Sequence, residues 1–193
     1  MSGKHQTSKF KIGRGSLSGR YLHFSDHPDL RPTLTRVREA VFSMTAEYKH
    51  EMGFIDLCAG SGCMGLEAWS VGFRPVWLFD VNAQSVREIK QNAQDLSANV
   101  DAHRASAWHL ERQGLPEGKW LIYADPPYKE TLFHPRMLQD LAELNLIQPG
   151  SLYLAEHERD WVDQIPSGWQ LMKHKKYGRA HIHQFEKIGP PNN

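Results

Sequence analysis

The chain has 193 residues, of which 23 are Lys or Arg and 22 are Asp or Glu, so its formal net charge is +1. This length suits one domain with a short extension, and the 40% apolar composition is typical of soluble globular proteins. The sequence contains neither a run of about 18 apolar residues that could span a membrane nor an apolar signal core after Met1. Cys58 and Cys63 are too few for a disulfide framework or a four-ligand zinc site. We therefore expect a cytoplasmic protein.

The charges are distributed unevenly along the chain. Residues 1–38 contain eight basic and two acidic residues, and residues 171–193 contain five basic and one acidic. The intervening residues 39–170 contain 10 basic and 19 acidic residues. Two basic ends flanking an acidic body are typical of a protein that binds phosphate groups, although charged and merely solvated termini would produce the same pattern.

The N-terminal quarter is predicted to be an extension of the main domain. Residues 1–8 are predicted to be flexible, and a glycine-punctuated β-hairpin is expected over residues 9–24. A helix with apolar residues at helical spacing follows and reaches about Tyr48. We assign residues 9–50 to this hairpin and helix, and residues 189–193 to a frayed tail.

Short apolar runs alternate with helix-length segments over residues 51–188. The predicted strands are 54–57, 76–79, 100–103, 120–123 and 152–155, and the predicted helices are 63–72, 83–96 and 131–145. Residues 169–185 predict two further strands in an antiparallel hairpin, and Glu156-His157-Glu158 predicts a loop and helix cap. The pattern indicates an α/β, Rossmann-like domain with a mostly parallel, doubly wound, seven-stranded sheet.

A glycine-rich turn follows the first of these strands. Gly60, Gly62 and Gly65 form G-x-G-x-x-G, and Asp80 ends the next strand, where a carboxylate can bind ribose hydroxyls. Asp56 lies just before the turn and would repel a pyrophosphate. It would suit a ligand with an ammonium group and a positive sulfur, such as S-adenosylmethionine (SAM). The alternative to a SAM site is a purely structural glycine turn that Asp56 caps.

The second motif, Asp125-Pro126-Pro127-Tyr128, follows the fourth predicted strand. The prolines lack N–H donors, so this stiff loop offers acceptors: the Asp125 carboxylate and the Pro126 carbonyl. These oxygens could hold the two N–H groups of a planar exocyclic amine while Tyr128 stacks on its base. A carboxylate would also stabilise the positive charge that develops on the nitrogen during methylation. The alternative is a simple proline turn.

Together the two motifs resemble the class I SAM-dependent methyltransferases with an N/D-P-P-Y/F loop. Residues 30–42, LRPTLTRVREAVF, are similar to the R-P-T-x-x-R-V-R-E-x-x-F signature of the RsmD family, and the N-terminal hairpin and glycine turn continue the resemblance over about residues 10–187. Members of that family are 16S ribosomal RNA guanine-N2 methyltransferases. The resemblance implies SAM as cofactor, a guanine N2 amine as target and a partly assembled small ribosomal subunit as partner, with a monomeric, metal-free and membrane-free enzyme.

The resemblance also implies roles for individual residues. Asp125, Pro126, Pro127 and Tyr128 would bind the guanine. The expected SAM contacts are Asp56, Cys58, Ala59, Gly60, Gly62, Asp80, Val81 and Ser106. Ser106 is assigned to the adenine because the family's usual Asp or Asn after the third strand is missing here. The expected RNA contacts are Lys11, Arg14, Arg20, Arg31, Thr33, Arg36 and Arg38. Arg36 or Arg38 could instead pair with Glu39 or with a core carboxylate.

Three alternative functions use the same motifs. Methylation of adenine N6 or cytosine N4 would use the same loop, but DNA enzymes of that kind are expected to carry a target-recognition domain for which this chain has no room. A nicotinamide-dependent oxidoreductase disagrees with Asp56 and lacks a substrate domain. An RNA-binding assembly factor without activity would have no need of intact Asp80 and Asp125.

Overall fold

The computed structural model describes residues 7–25, 35–127, 132–158 and 165–189. The strands are β1 (Thr7–Lys11), β2 (Tyr21–Ser25), β3 (Gly53–Asp56), β4 (Val76–Asp80), β5 (Asp101–Arg104), β6 (Trp120–Ala124), β7 (Leu152–His157), β8 (Trp169–Tyr177) and β9 (Ala180–Lys187). The α-helices are α1 (Thr35–Met44), α2 (Cys63–Val71), α3 (Ala83–Asp95) and α4 (Phe133–Glu143). Of the segment 1–8 predicted to be flexible, residues 1–6 lie outside the described residues and residues 7 and 8 belong to β1; of the predicted tail 189–193, residues 190–193 lie outside them.

Seven strands form one sheet in the order β5-β4-β3-β6-β7-β9-β8. Strands β3 to β7 run parallel to one another, whereas β9 is antiparallel to both β7 and β8. The predicted doubly wound sheet with an antiparallel C-terminal hairpin is therefore confirmed. The chain moves outward from β3 through β4 to β5 and then returns to place β6 on the other side of β3, so the strand order reverses between β3 and β6. Ligands of open α/β sheets bind at such a switch point, beyond the carboxyl ends of the strands.

Apolar side chains cover both faces of the sheet. One face packs against α1, α2 and α3 through residues such as Val41, Leu66 and Ile89. The other packs against α4 and the 3-10 helix Ala107–Gln113 through residues such as Leu110 and Leu141. The central strands are buried on both sides and therefore have continuous apolar sequences rather than alternating ones. None of the described helices has the length and hydropathy needed to cross a membrane.

The N-terminal hairpin β1–β2 pairs from Thr7↔Ser25 to Lys11↔Tyr21 and lies against α2 and α3. Asn92 of α3 accepts a hydrogen bond from the His23 amide at 2.9 Å and donates one to the His23 carbonyl at 2.8 Å. Ser70, in the last turn of α2, accepts a bond from the Leu17 amide at 2.8 Å. The predicted hairpin and helix extension is confirmed, and its apolar residues belong to the same core as the sheet domain.

The predicted helix to Tyr48 is shorter in the structure. Helix α1 ends at Met44, and a 3-10 turn, Ala46–Tyr48, follows it. The buried Thr45 hydroxyl donates to the Val41 carbonyl at 2.8 Å, a side-chain bond that competes with continuation of the helix.

Arg38 of α1 lies inside the protein. Its Nε donates to Oε2 of Glu67 in α2 at 3.0 Å, and both side chains are almost fully buried. The guanidinium also lies over the Phe10 ring, 3.9 Å from its centroid. Arg38 is therefore not exposed for the RNA contact that the sequence suggested, and it takes the alternative role of partner to a core carboxylate. The pair joins the hairpin, α1 and α2.

We predict that Arg38→Met lowers the free energy of unfolding by about 3–5 kcal/mol, because it leaves the Glu67 carboxylate buried without its partner. The double variant Arg38→Met/Glu67→Met should recover most of that loss, since two apolar side chains can replace a buried ion pair. Urea unfolding measures both values. Arg36→Met, an exposed neighbour in the same helix, is the control and should change stability by less than about 0.5 kcal/mol. A single Arg38→Met variant as stable as this control would contradict the structural role of the pair.

Candidate active site

The glycine turn connects β3 to α2, and two of its amides donate hydrogen bonds to acceptors within the protein. Gly60 and Gly62 have φ angles of 51° and 77°, which favour glycine. A Cβ at position 62 would lie 2.7 Å from Ile89 Cγ1, so this position also requires a close backbone approach. The Gly60 amide donates to Asp80 Oδ2 at 2.8 Å, and the Gly62 amide donates to the Ala59 carbonyl at 2.7 Å. Because these two amides already have acceptors, neither is available to a pyrophosphate.

Four carboxyl groups lie at the carboxyl ends of four neighbouring parallel strands. Asp80 ends β4, Asp56 ends β3, Asp125 directly follows β6 and Glu156 lies near the end of β7. We call these four residues the acidic edge. Tyr123 of β6 pairs with Asp56. Ala124 pairs with Ala155, so the residues that follow them, Asp125 and Glu156, are at the same level of the sheet. The register therefore concentrates negative charge around the switch point between β3 and β6.

Burial makes the ionised form of Asp56 unfavourable. Its side chain is 1% exposed, and loss of solvation together with the negative charge of Asp80 raises its pKa from 3.8 to about 7, against the opposing effect of the Cys58 amide. That amide donates to Asp56 Oδ1 at 3.3 Å. A positively charged ligand beside Asp56 would favour its ionised form and would itself be stabilised.

Asp125 and Glu156 share the same environment. Burial, and then the charges of Glu156 and Asp56, raise the pKa of Asp125 well above its usual range. Burial also raises the pKa of Glu156, while the hydroxyl of Tyr123 donates a hydrogen bond to its carboxylate and opposes that shift. A cationic ligand beside these carboxyl groups would favour their ionised forms, which accept its hydrogen bonds.

The β4 side of the crevice combines an acceptor with an exposed apolar surface. Asp80 accepts bonds from the amides of Gly60 and Asn82 at 2.8 and 2.7 Å, and its remaining lone pairs can accept others. Val81 follows it and is 68% exposed. Ser106 lies beyond β5, where its hydroxyl accepts the Trp108 amide at 3.4 Å as the cap of a 3-10 helix. The ribose contact of Asp80 and the adenine contacts of Val81 and Ser106 stay predictions.

The remaining predicted residues are placed as follows. Cys58 is half-buried and Ala59 buried beside the glycine turn, while Pro126 is buried and Pro127 exposed beyond β6. Lys11, Arg14 and Arg20 are exposed on the N-terminal hairpin, and Arg36 is exposed on α1. Tyr128, Arg31 and Thr33 lie outside the described residues.

Glu156 is the site residue that the sequence prediction missed. The segment expected to be a loop and helix cap is the end of β7, which continues through His157. The ring of His134 contacts this strand end, since its Nε2 lies 3.0 Å from the Glu156 carbonyl. The sequence contained a usable signal, because Glu156 directly follows an apolar run, and residues at the carboxyl ends of parallel strands meet at the same edge of the sheet.

A cavity of about 500 Å³ opens between the N-terminal hairpin and the start of α1. Lys9, Lys11 and Thr35 are among its lining residues, and none of the acidic-edge carboxylates is. It is therefore a feature of the basic hairpin and is separate from the crevice at the switch point. Within the described ranges, no group of three or more His, Cys, Asp or Glu side chains is arranged to hold a metal ion.

Known proteins resemble this chain along most of its length. A ribosomal RNA small subunit methyltransferase D from Buchnera aphidicola is 29% identical over 171 residues, which cover 88% of this chain and 89% of the relative. The solved structure of the YhhF methyltransferase from Escherichia coli has a TM-score of 0.81 at 24% identity and covers 94% of this chain and 99% of its own.

A more distant solved structure contains a cofactor product. It is an RNA methyltransferase from Salinibacter ruber in complex with S-adenosyl-L-homocysteine, with a TM-score of 0.58 at 14% identity over 84% of this chain and 98% of its own. At these identities the solved structures support the fold. The family model described as Conserved hypothetical protein 95 matches residues 10–186, so the chain belongs to that family, the RsmD family of methyltransferases.

Proposed function

We propose that this protein transfers a methyl group from SAM to the N2 amine of a guanine in the RNA of the small ribosomal subunit. The observation that carries the proposal is the acidic edge, which places Asp56, Asp80 and Asp125 around the switch point beside a glycine turn without free anion-binding amides at Gly60 and Gly62. The family relative named for small-subunit ribosomal RNA supports the substrate. We further propose that the protein acts as a monomer in the cytoplasm, on partly assembled subunits.

The acidic edge fits a cationic methyl donor. SAM supplies, when bound, an electrophilic methyl group on a positively charged sulfur and also has an ammonium group. Asp56 would face this positive charge, and Asp80 would accept hydrogen bonds from ribose hydroxyls. Cys58, Ala59, Gly60 and Gly62 would form the wall of the same site, with Val81 and Ser106 near the adenine. A dinucleotide would instead need a helix N-terminus free to bind its pyrophosphate.

The loop after β6 would hold the amine. The Asp125 carboxylate and the Pro126 carbonyl would each accept one N–H bond, which directs the nitrogen lone pair away from both oxygens and toward the methyl group. Burial, and then repulsion by neighbouring carboxylates, raises the pKa of Asp125; a bound cation opposes this shift, so the side chain would ionise as the site fills. The nitrogen gains a methyl group and loses one proton, for which the Asp125 carboxylate is an acceptor. Tyr128 would stack on the flipped base.

Asp125→Ala should lower kcat by at least roughly 100-fold, because it removes the charge that stabilises the transition state and one of the two oxygens that orient the amine. SAM affinity should stay within a few-fold of wild type, as measured by calorimetry. Asp140→Ala, an exposed acidic residue of α4, is the matched control and should leave kcat unchanged. Methylation by the Asp125→Ala variant within a few-fold of wild type would remove Asp125 from the mechanism.

SAM affinity should rise with pH through about 7 and level off above roughly pH 8. At about pH 6 most Asp56 is protonated, because its pKa is about 7 in the ligand-free protein, and the neutral acid does not attract a cation. Ionisation of one group with that pKa predicts a roughly tenfold weaker Kd at about pH 6 than at about pH 7.5. Asp56→Asn should bind weakly at both pH values and lose this dependence. Equal pH dependence in wild type and variant would assign the titration to another group.

The N-terminal hairpin would bind the RNA backbone through Lys11, Arg14 and Arg20, which are all exposed. Changing all three to Gln should weaken the binding of small ribosomal subunits. The slope of log K against the logarithm of salt concentration should become smaller in magnitude by roughly 2. The control is the double variant Lys49→Gln/Lys119→Gln, and the changes in salt slope of the two variants are compared per charge removed. A slope equal to that of wild type would show that the hairpin does not contact RNA.

A further inference from the structure

We propose that the tip of the C-terminal hairpin, together with Arg36, binds the RNA backbone beside the target nucleotide. The hairpin tip is defined here as Lys175, Lys176, Tyr177, Gly178 and Arg179, at the β8–β9 turn. This inference rests on the proposed function, since it assumes an RNA substrate, and it adds a second contact surface to the N-terminal hairpin.

The hairpin tip is basic and exposed. The sequence from Ile165 to Phe185 contains no Asp or Glu. Its four basic residues, Lys173, Lys175, Lys176 and Arg179, are all exposed. Lysines on an edge strand such as β8 also protect a sheet from pairing with other chains. That protective role does not require Arg179 in the turn or a second basic side chain from another element beside it.

Arg36 supplies such a side chain. A Cβ at Gly178 would lie 2.7 Å from Arg36 Nη2, so the guanidinium of α1 lies directly against the turn. Packing against the core fixes the turn, because Tyr177, Ala180 and Ile182 belong to the same hydrophobic core as α1. Two segments far apart in the sequence therefore place their basic side chains on one surface, and the positions of both are fixed by packing.

The strand register places this surface at the edge of the sheet that holds the active site. Glu156 of β7 pairs with Ile182, and His157 pairs with His181, whose partner on β8 is Lys176. Lys176 is thus one residue beyond the level of Glu156. It lies three strand spacings from β6, about 14 Å across the sheet. A nucleotide flipped toward Asp125 would bring the adjacent nucleotides of the RNA chain over this side of the crevice.

The N-terminal hairpin contacts the opposite end of α2. The Arg14 carbonyl accepts a hydrogen bond from Ser70, in the last turn of that helix, whereas the glycine turn precedes its first residue. The helix has nine residues, which corresponds to a length of about 13 Å. Arg14 therefore lies about one helix length from the glycine turn, which is comparable to the distance of Lys176 from β6, and the charge of the acidic edge would repel phosphates close to the target. Cations at the hairpin tip and Arg36 offset that repulsion at the place where it occurs.

The test compares Lys176→Gln/Arg179→Gln with Lys49→Gln/Lys119→Gln, which removes the same charge beside the amino ends of the strands. Binding of undermethylated small ribosomal subunits is measured between about 50 and 200 mM salt, with methylation kinetics and SAM binding on the same samples. The hairpin-tip variant should reduce the magnitude of the salt slope by roughly 1.5 and raise KM for subunits by about tenfold or more. Its kcat at saturating subunits and its Kd for SAM should stay within a few-fold of wild type.

A salt slope and KM equal to those of the control variant would overturn the proposal. A loss of SAM binding by the hairpin-tip variant would also count against it, because that result would indicate a structural role. Failure of the proposed function has a different signature, namely no N2-methylguanosine with the wild-type protein. The salt slopes of the two variants then still decide whether the hairpin tip binds RNA.

Discussion

Crowding of carboxyl groups at the ends of parallel strands is the constraint on which this active site depends. Asp56, Asp80, Asp125 and Glu156 are brought together by strand order and register, and burial removes much of the water that would solvate their charge. Such a crevice is unfavourable for a phosphate and favourable for a sulfonium, an ammonium or an amine that acquires positive charge. The internal use of the Gly60 and Gly62 amides strengthens the same preference.

An acidic crevice creates a difficulty for a protein that is proposed to act on a polyanion, and the distribution of charge resolves it. A net charge of +1 conceals basic segments at both ends of the chain and an acidic body between them. The fold places the basic N-terminal hairpin over α2 and α3 and brings the basic C-terminal hairpin beside Arg36 at the active-site edge. Under the proposed function, the phosphates would lie on these basic surfaces while one base enters the acidic crevice.

Much of the fold follows from the sequence because strand and helix periods, and the positions of the two motifs, are local features. Alternation of apolar runs with helices predicted the sheet, and the switch point brought Asp56 and Asp125 together as expected. The sequence left open whether Arg38 contacts RNA or pairs with a core carboxylate, since helical spacing does not reveal that Glu67 of α2 lies opposite it. The place of Glu156 depended on the register between β6 and β7, which is a property of tertiary pairing.

The most direct test of the account is the identity of the methylated atom. Purified protein is incubated with labelled SAM and undermethylated small ribosomal subunits, and the RNA is digested and separated into nucleosides. The account predicts label in N2-methylguanosine at one position, because the proposed target of the Asp125 and Pro126 oxygens is the N2 amine of one guanine. Label in N6-methyladenosine, in N4-methylcytidine or in no nucleoside at all would contradict it.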